Sequence, residues 1–363
     1  MKALFMNNYP MDHAWDSWQN GEYPGHHLWG ATHLAQHGIE VEIVPYQTMM
    51  LLNKMGRKLG LGDHLDQQLR VLFHRADFDV VYSACQTTTF LLALLRSLRL
   101  FRKPIVALIH HPFDHTLSDA LFLNGHDRLL CLSSTIMEPF AQEPGIHKKM
   151  DAIEWGADLP FYRMKSERST PFDTAKPSYI VSAGKTERDH NTLVNAFLDI
   201  DYPLEIYCSA ATAPSLKALP DRITIHASDS AHNAVSYQAL LTAYRHAYAI
   251  AIPLTNTNHL AGLTSLLDAM AVGKPVIMTR NLHIELDIET EGIGLWVEPG
   301  DVQGWQQAIA YLLANPEEAE AMGDRGHRLC ETKYNLDTFT TSLARTLKGV
   351  VKPSGHTRKV FRF

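Results

Sequence analysis

Two cations, Lys185 and Arg188, stand on a glycine-containing turn in the stretch Ile180–Asn191 (IVSAGKTERDHN). An apolar run leads into Gly184, and a helical pattern opens near Asp189. A helix start leaves its first N–H groups unpaired and carries partial positive charge, to which lysine and arginine add full charges. Such a set suits a diphosphate, although the same cations on a plain surface would only be solvated. A second stretch, Pro253–Ile277 (PLTNTNHLAGLTSLLDAMAVGKPVI), runs from a strand end through a polar loop into a helix led by Gly262. Thr264 and Ser265 fall in its first turn, where hydroxyl and amide groups can face a phosphate. Leu263, Leu266, Leu267, Met270 and Ala271 keep helical spacing and mark a buried face. Asp268 lies further along, where an isolated acid is ordinarily solvated or a cap. The pair His110-His111 ends the apolar run Ile105–Ile109. Sites in open α/β sheets form at such strand ends, so His110 reads as functional and His111 as structural. His26 follows Gly25 and could reach a cleft. No tight His, Asp or Glu spacing points to a metal.

These residues need elements to position them. Short apolar runs alternate with helical patterns almost throughout. Strands are expected at Lys2–Met6, Glu40–Pro45, Phe78–Tyr82, Ile105–Ile109 and Leu129–Leu132, with a helix over His26–Gln36 stopped by Gly38. The polar, proline-containing segment Lys165–Ser178 reads as a linker. Beyond it come strands at Tyr179–Ser182, Leu204–Cys208, Ala249–Ile252 and Pro275–Met278, and helices at Asn191–Phe197 and Trp305–Ala314. Thr290–Asp301 reads as a structural turn and short strand. Strand–helix alternation gives parallel sheets covered by helices. The expected organisation is a first Rossmann-like domain over 1–164, a linker over 165–178, a second such domain over 179–340, and a C-terminal helix and tail over 341–363.

The bulk composition is that of an ordinary globular chain. Of 363 residues, 45% are hydrophobic and 20% charged, so each half can bury a core. A net charge of −6 gives no reason to expect a nucleic-acid partner. The cysteines, Cys85, Cys131, Cys208 and Cys330, are far apart, which speaks against a disulfide framework or structural zinc. The short apolar run at Lys2–Met6 leads us to expect no secretory signal, and no run reaches the ~20 apolar residues that a membrane span needs. The expectation is a cytoplasmic protein. Two basic, leucine- or methionine-rich segments, Thr48–Leu61 and Leu95–Lys103, could touch a bilayer peripherally, or simply be solvated faces. The basic tail Gly355–Phe363 is either frayed or packed back on the first domain.

Taken together, the motifs resemble the retaining GT-B glycosyltransferases of the family-four type, the glycosyl transferases group 1. The likeness rests on Gly184, Lys185 and Arg188; on Leu267-Asp268-Ala269-Met270-Ala271 with Gly273-Lys274-Pro275-Val276-Ile277; and on Pro299-Gly300-Asp301. Gly25, His110 and Trp155-Gly156-Ala157-Asp158 match the first half more loosely. The fold this implies is two Rossmann-like domains facing each other across a cleft, the first for the acceptor. The implied activity is transfer of a sugar from a nucleotide-sugar donor to a glycan, lipid or small-molecule acceptor, with retention and without a metal or other cofactor. Lys185 and Arg188 would bind the donor diphosphate, together with Gly184 and the stretch Ala261, Gly262, Leu263, Thr264 and Ser265. Asp268 would hold the ribose hydroxyls, His110 would approach the sugar, and Gly25 would let its loop come close to the phosphates. Eight residues before Asp268, where the family commonly has a second acid, stands Leu260. Asn256, Asn258 and His259 are the polar neighbours that could replace it. On the same fold, an epimerase, a phosphorylase or a catalytically degenerate nucleotide-sugar-binding protein are the alternative readings.

Overall fold

A computed structural model describes residues 1–46, 49–62, 64–113, 117–164, 179–216, 218–228, 235–255 and 257–351. The expected linker 165–178, Thr48, Asn256 and the tail Gly355–Phe363 lie outside the described residues.

Twelve strands form two six-stranded sheets, one in each half of the chain. The first contains β1 (Lys2–Met6), β2 (Glu40–Ile43), β3 (Val80–Ser83), β4 (Ile105–Ile109), β5 (Arg128–Cys131) and β6 (Met150–Ala152), in the order β2-β1-β3-β4-β5-β6. The second contains β7 (Ile180–Gly184), β8 (Leu204–Ser209), β9 (Ile223–Ser228), β10 (Ala249–Ile252), β11 (Val276–Thr279) and β12 (Gly294–Val297), in the order β12-β11-β10-β7-β8-β9. Every paired strand is parallel. The central strands are buried on both faces, as helix-covered parallel sheets require, and so read as continuous apolar runs. The edge strands β6 and β9 escape that reading. Met150–Ala152 has only three residues, and Ile223–Ser228 is half exposed along its length.

The expected helix over His26–Gln36 is not formed. Two 3-10 turns, Gly25–Leu28 and Leu34–His37, stand there instead. Trp29 and Gly30 break the run by adopting positive φ, 51° and 79°. At Gly30 a Cβ would come within 3.1 Å of Leu343 and Phe339, so the backbone bends to let the C-terminal helix in.

That helix, Leu336–Val350, returns to the first half. It buries Leu336, Phe339, Leu343 and Leu347 against Ala3, Phe5, Tyr82 and their neighbours. Each large apolar side chain so buried contributes about 1.5–3 kcal/mol. The return is fixed by a bridge between Ala157 and Asn335, where a Cβ on Gly156 would lie 2.3 Å from the Asn335 nitrogen.

Candidate active site

In the second sheet the strand order reverses between β7 and β10, which lie side by side. Ligands of open α/β sheets bind at such a switch point, beyond the carboxyl ends of the strands. Arg188, on the turn after β7, forms an isolated bridge with Leu254 after β10. Its Nη2 donates to Ser265 Oγ at 2.9 Å, its Nε to the Ala183 carbonyl at 3.2 Å, and its Nη1 to the Thr186 carbonyl at 3.1 Å. Gly184 makes room for this: a Cβ there would be 2.4 Å from Arg188 Nε. Burial pulls the Arg188 pKa below its ordinary value, but a guanidinium keeps its charge in proteins.

The helix Leu263–Ala271 begins beside it. Its cap, Gly262, has φ +85°, and a Cβ would meet Met278 Cε at 2.5 Å. Glycine is therefore required twice over, for the left-handed backbone and for the close approach. Gly262, Leu263 and Thr264 line a cavity of about 300 Å³, so the helix starts at its wall with first-turn amides that it cannot pair itself. Thr186, Glu187, Arg188, His259, Leu260 and Ala261 complete that wall. Across from it stand Trp29, His110, His111, Leu132 and Trp155 of the first half.

His110 is held there by two bonds. Its backbone N–H donates to Gln86 Oε1 at 3.0 Å, and its Nε2 lies 2.6 Å from the Ala84 carbonyl. A carbonyl only accepts, so Nε2 carries the proton and Nδ1 is left as an acceptor. Burial pushes the imidazole pKa down to about 4, so His110 is neutral. Trp29 meets it edge-on at 4.7 Å and stacks on Trp155 at 4.5 Å.

Asp268 lies elsewhere. It is 3% exposed and is absent from the cavity wall. Its Oδ1 accepts from the hydroxyls of Tyr162 and Tyr237, the latter at 2.6 Å, and these hydroxyls are 2.7 Å apart. His26 Nε2 is 3.9 Å away. Burial raises the acid's pKa to about 6 despite both tyrosine bonds, and it drives the His26 imidazole well below its ordinary value. His26, His27 and Asp268 bring two ring nitrogens and a carboxylate within 4.8 Å of one another, a grouping that their sequence spacing does not reveal. The donor set fits a metal poorly. The Asp158 N–H donates to His26 Nδ1 at 3.2 Å, so in the neutral ring the proton sits on Nε2, the atom that would have to bind the ion.

Residues 226–329 match the family model "Glycosyl transferases group 1". A D-inositol 3-phosphate glycosyltransferase of Saccharomonospora viridis is 31% identical over 106 residues, a match that takes in 29% of this chain and 24% of that protein. Among solved structures, Anabaena Alr3699/HepE in complex with UDP superposes with a TM-score of 0.67 at 15% identity, over 96% of this chain and 100% of that one. The sucrose-phosphate synthase of Thermosynechococcus elongatus does so with a TM-score of 0.66 at 15% identity, over 96% and 98%. The fold is GT-B: two Rossmann-like domains.

The matched segment holds Gly262 and Ser265, whereas Arg188 precedes it and is brought to it by the pairing of β7 with β10. Of the residues singled out in the sequence, His110, Arg188, His259, Ala261, Gly262, Leu263 and Thr264 line the cavity; Ser265 and Gly184 lie behind Arg188. Lys185 and Asn258 are exposed and outside the wall. Gly25 is absent from it: its N–H donates to Asp158 Oδ2 at 2.7 Å, and a Cβ would crowd Asp158, Thr32 and Trp18 at 3.0 Å each. Its glycine requirement thus comes from packing beside Asp158. Sequence reasoning passed over Trp29 and Glu187, noted Trp155 only within the family likeness, and took His111 as structural. Aromatic residues as far apart as Trp29 and Trp155 carry no local pattern, and only the fold gathers them.

Proposed function

We propose that this chain is a glycosyltransferase that takes a sugar from a nucleoside-diphosphate donor bound in the cavity between its two domains. One observation carries the reading: Arg188 is tied to Ser265 at the start of a glycine-capped helix that opens on a cavity walled by both domains. The name of the Saccharomonospora relative supports glycosyl transfer. The complexes of Alr3699/HepE with UDP and UDP-glucose support a uridine nucleotide as the first donor to try.

When the glycosidic bond breaks, negative charge grows on the departing diphosphate. Arg188 and the helix start stabilise it in place, without reorganisation at the moment of reaction. Lys185, exposed on the same turn, swings its flexible stem to the outer phosphate oxygens. His110, neutral and with only Nδ1 free, accepts a hydrogen bond from a sugar hydroxyl and so orients the ring. The leaving phosphate takes the acceptor's proton on the face it vacates, so configuration is retained, and no metal is needed. Closure of the two walls excludes the water that would otherwise hydrolyse the donor.

The test is donor binding. UDP, GDP, ADP and dTDP, with their sugar conjugates, are compared by thermal shift. One nucleotide should raise the melting temperature, since a ligand of the native state stabilises it, and Arg188→Ala should remove the shift. No shift with any of them would sink the proposal. With the donor known, NMR of the product reports the anomeric configuration, and chelator should leave turnover unchanged. A second reading has an observation of its own in Leu260, an apolar residue on the cavity wall. A nucleotide-sugar-binding protein without turnover would give the thermal shift but neither product nor donor hydrolysis.

A further inference from the structure

We propose that His111 and His259 form a second oxyanion subsite beside the diphosphate position, taking a carboxylate or phosphate group carried by the donor sugar or by the acceptor. The inference rests on the donor reading above. The rings come from opposite domains, His111 from the end of β4 and His259 from the loop after β10, and their centroids lie 5.4 Å apart at 59°. Both line the cavity. Their backbones are fixed, by Gln86 at His111 and by Asn281 at His259, while neither ring has a hydrogen-bond partner among the described residues. The contrast with His110 is informative, since that ring's Nε2 is already committed to Ala84.

The chemistry of the wall narrows what the pair can take. A diphosphate would engage Arg188 and the helix start at Gly262. Among the described residues, the remaining polar surface is neutral or basic, and Glu187 is the one carboxylate lining the cavity. A neutral imidazole offers one N–H, and a protonated one offers two with a charge. A single hydroxyl needs only one such partner. Two donors converging from opposite walls match a group with two or more acceptor oxygens, and charge-assisted bonds to it are the strong kind.

The pair is also sensitive to pH. Arg188 and the helix start across the cavity oppose protonation of the pair, Glu187 favours it, and His110, beside His111, is neutral. Burial and the nearby His259 hold the His111 pKa below its ordinary value. An anion held by His111 favours the protonated imidazole, so its binding takes up a proton and weakens as pH rises.

The experiment has two arms, each run at pH 6 and pH 8 on the full chain. In the first, calorimetry compares UDP, UDP-glucose and UDP-glucuronate on the wild type and on a His111→Asn/His259→Asn variant. A uronate advantage of tenfold or more at pH 6, shrinking at pH 8 and lost in the variant, assigns the anion to the donor sugar. In the second arm, inorganic phosphate is titrated into protein saturated with UDP. Phosphate binding that follows the same pH trend and disappears in the variant, without a uronate advantage, assigns the anion to the acceptor. If UDP binds and neither effect appears, the subsite is wrong. If no nucleotide binds, the donor reading itself has failed, and phosphate titrated into Arg188→Ala protein still decides the subsite: binding abolished by the double histidine substitution supports it, and binding unchanged overturns it.

Discussion

Arg188 is the residue on which most of the chemistry turns, and its three hydrogen bonds say how it should fail. It is held by Ser265 and by two carbonyls of its own turn. Removing the guanidinium deletes a fixed charge aimed at the departing diphosphate, a type of loss that costs about 10²–10³ in kcat. Arg188→Ala should therefore lower kcat by that order while the far-ultraviolet circular dichroism stays native. Activity within threefold of wild type would place the phosphate elsewhere. Asp268 calls for a different measurement. Its folded pKa, about 6, is above that of an ordinary carboxylate, so folding favours the protonated acid. Stability is then greatest below the unfolded pKa and falls as pH rises through about 6, by on the order of 3 kcal/mol. Asp268→Asn keeps an acceptor for Tyr162 and Tyr237 and removes the buried charge. Its melting temperature should exceed that of wild type at pH 8, with the gap closing near pH 4.5; an equal gap at both pH values would refute the buried-acid account. Donor affinity unchanged in the same variant would assign Asp268 to the packing between the domains, whereas loss of affinity would mean that the tyrosines yield it to the ribose.

At the scale of elements, legibility in the sequence follows from how each element is buried. The central strands were readable because both faces are covered and the residues run apolar, as in Ile105–Ile109 and Ala249–Ile252. The capped helices were readable where a side chain closes the first turn. Asp189 accepts from the Thr192 N–H at 3.0 Å, and Asp301 from the Gly304 N–H at 2.9 Å. The stretch 25–37 was misread because its apolar spacing is helical, while its shape is dictated by a helix arriving from more than 300 residues away. The site was half legible for the same reason: turns and helix starts are local, but the opposing wall of Trp29, His110, His111 and Trp155 is assembled by tertiary packing. The segment Met50–Lys58 shows another side of burial. It is a helix whose Met50 and Leu51 remain 71% and 73% exposed, beside Lys54, Arg57 and Lys58. Exposed apolar side chains beside basic ones are what an amphipathic helix presents to an anionic bilayer surface, and no helix among the described residues is long and apolar enough to cross a membrane. Wild-type protein should co-sediment with vesicles containing anionic lipid, and Met50→Asp/Leu51→Asp should release it with its melting temperature intact. Equal sedimentation of both proteins would count against a membrane role for this helix.

For the molecule as a whole, the two domains meet through side chains as well as through chain connections. His283 Nδ1 and Thr135 Oγ1 are 2.7 Å apart, and Glu285 accepts from the Ser134 N–H. The Tyr162, Tyr237 and Asp268 cluster lies further along the same junction. The C-terminal helix completes the first domain, so a chain ending before Leu336 should leave the apolar surface around Phe5 and Tyr82 uncovered. Such a truncation should be recovered mainly as aggregate. Soluble, cooperative unfolding of the shorter chain would contradict the packing described here.

The polypeptide crosses between the domains twice, once around residues 155–157, after which Leu159, Phe161 and Tyr162 pack into the core of the second domain, and once at Asn335, against which Gly156 and Ala157 press. Two attachment points so close together act like the pins of one door hinge. The domains can swing apart about the line through them, but sliding or twisting off that axis would strain both crossings at once. Opening the cavity to admit a donor and shutting it again thus reduces to a single angular coordinate, and each closing stroke returns His111 and His110 to the same register against Arg188.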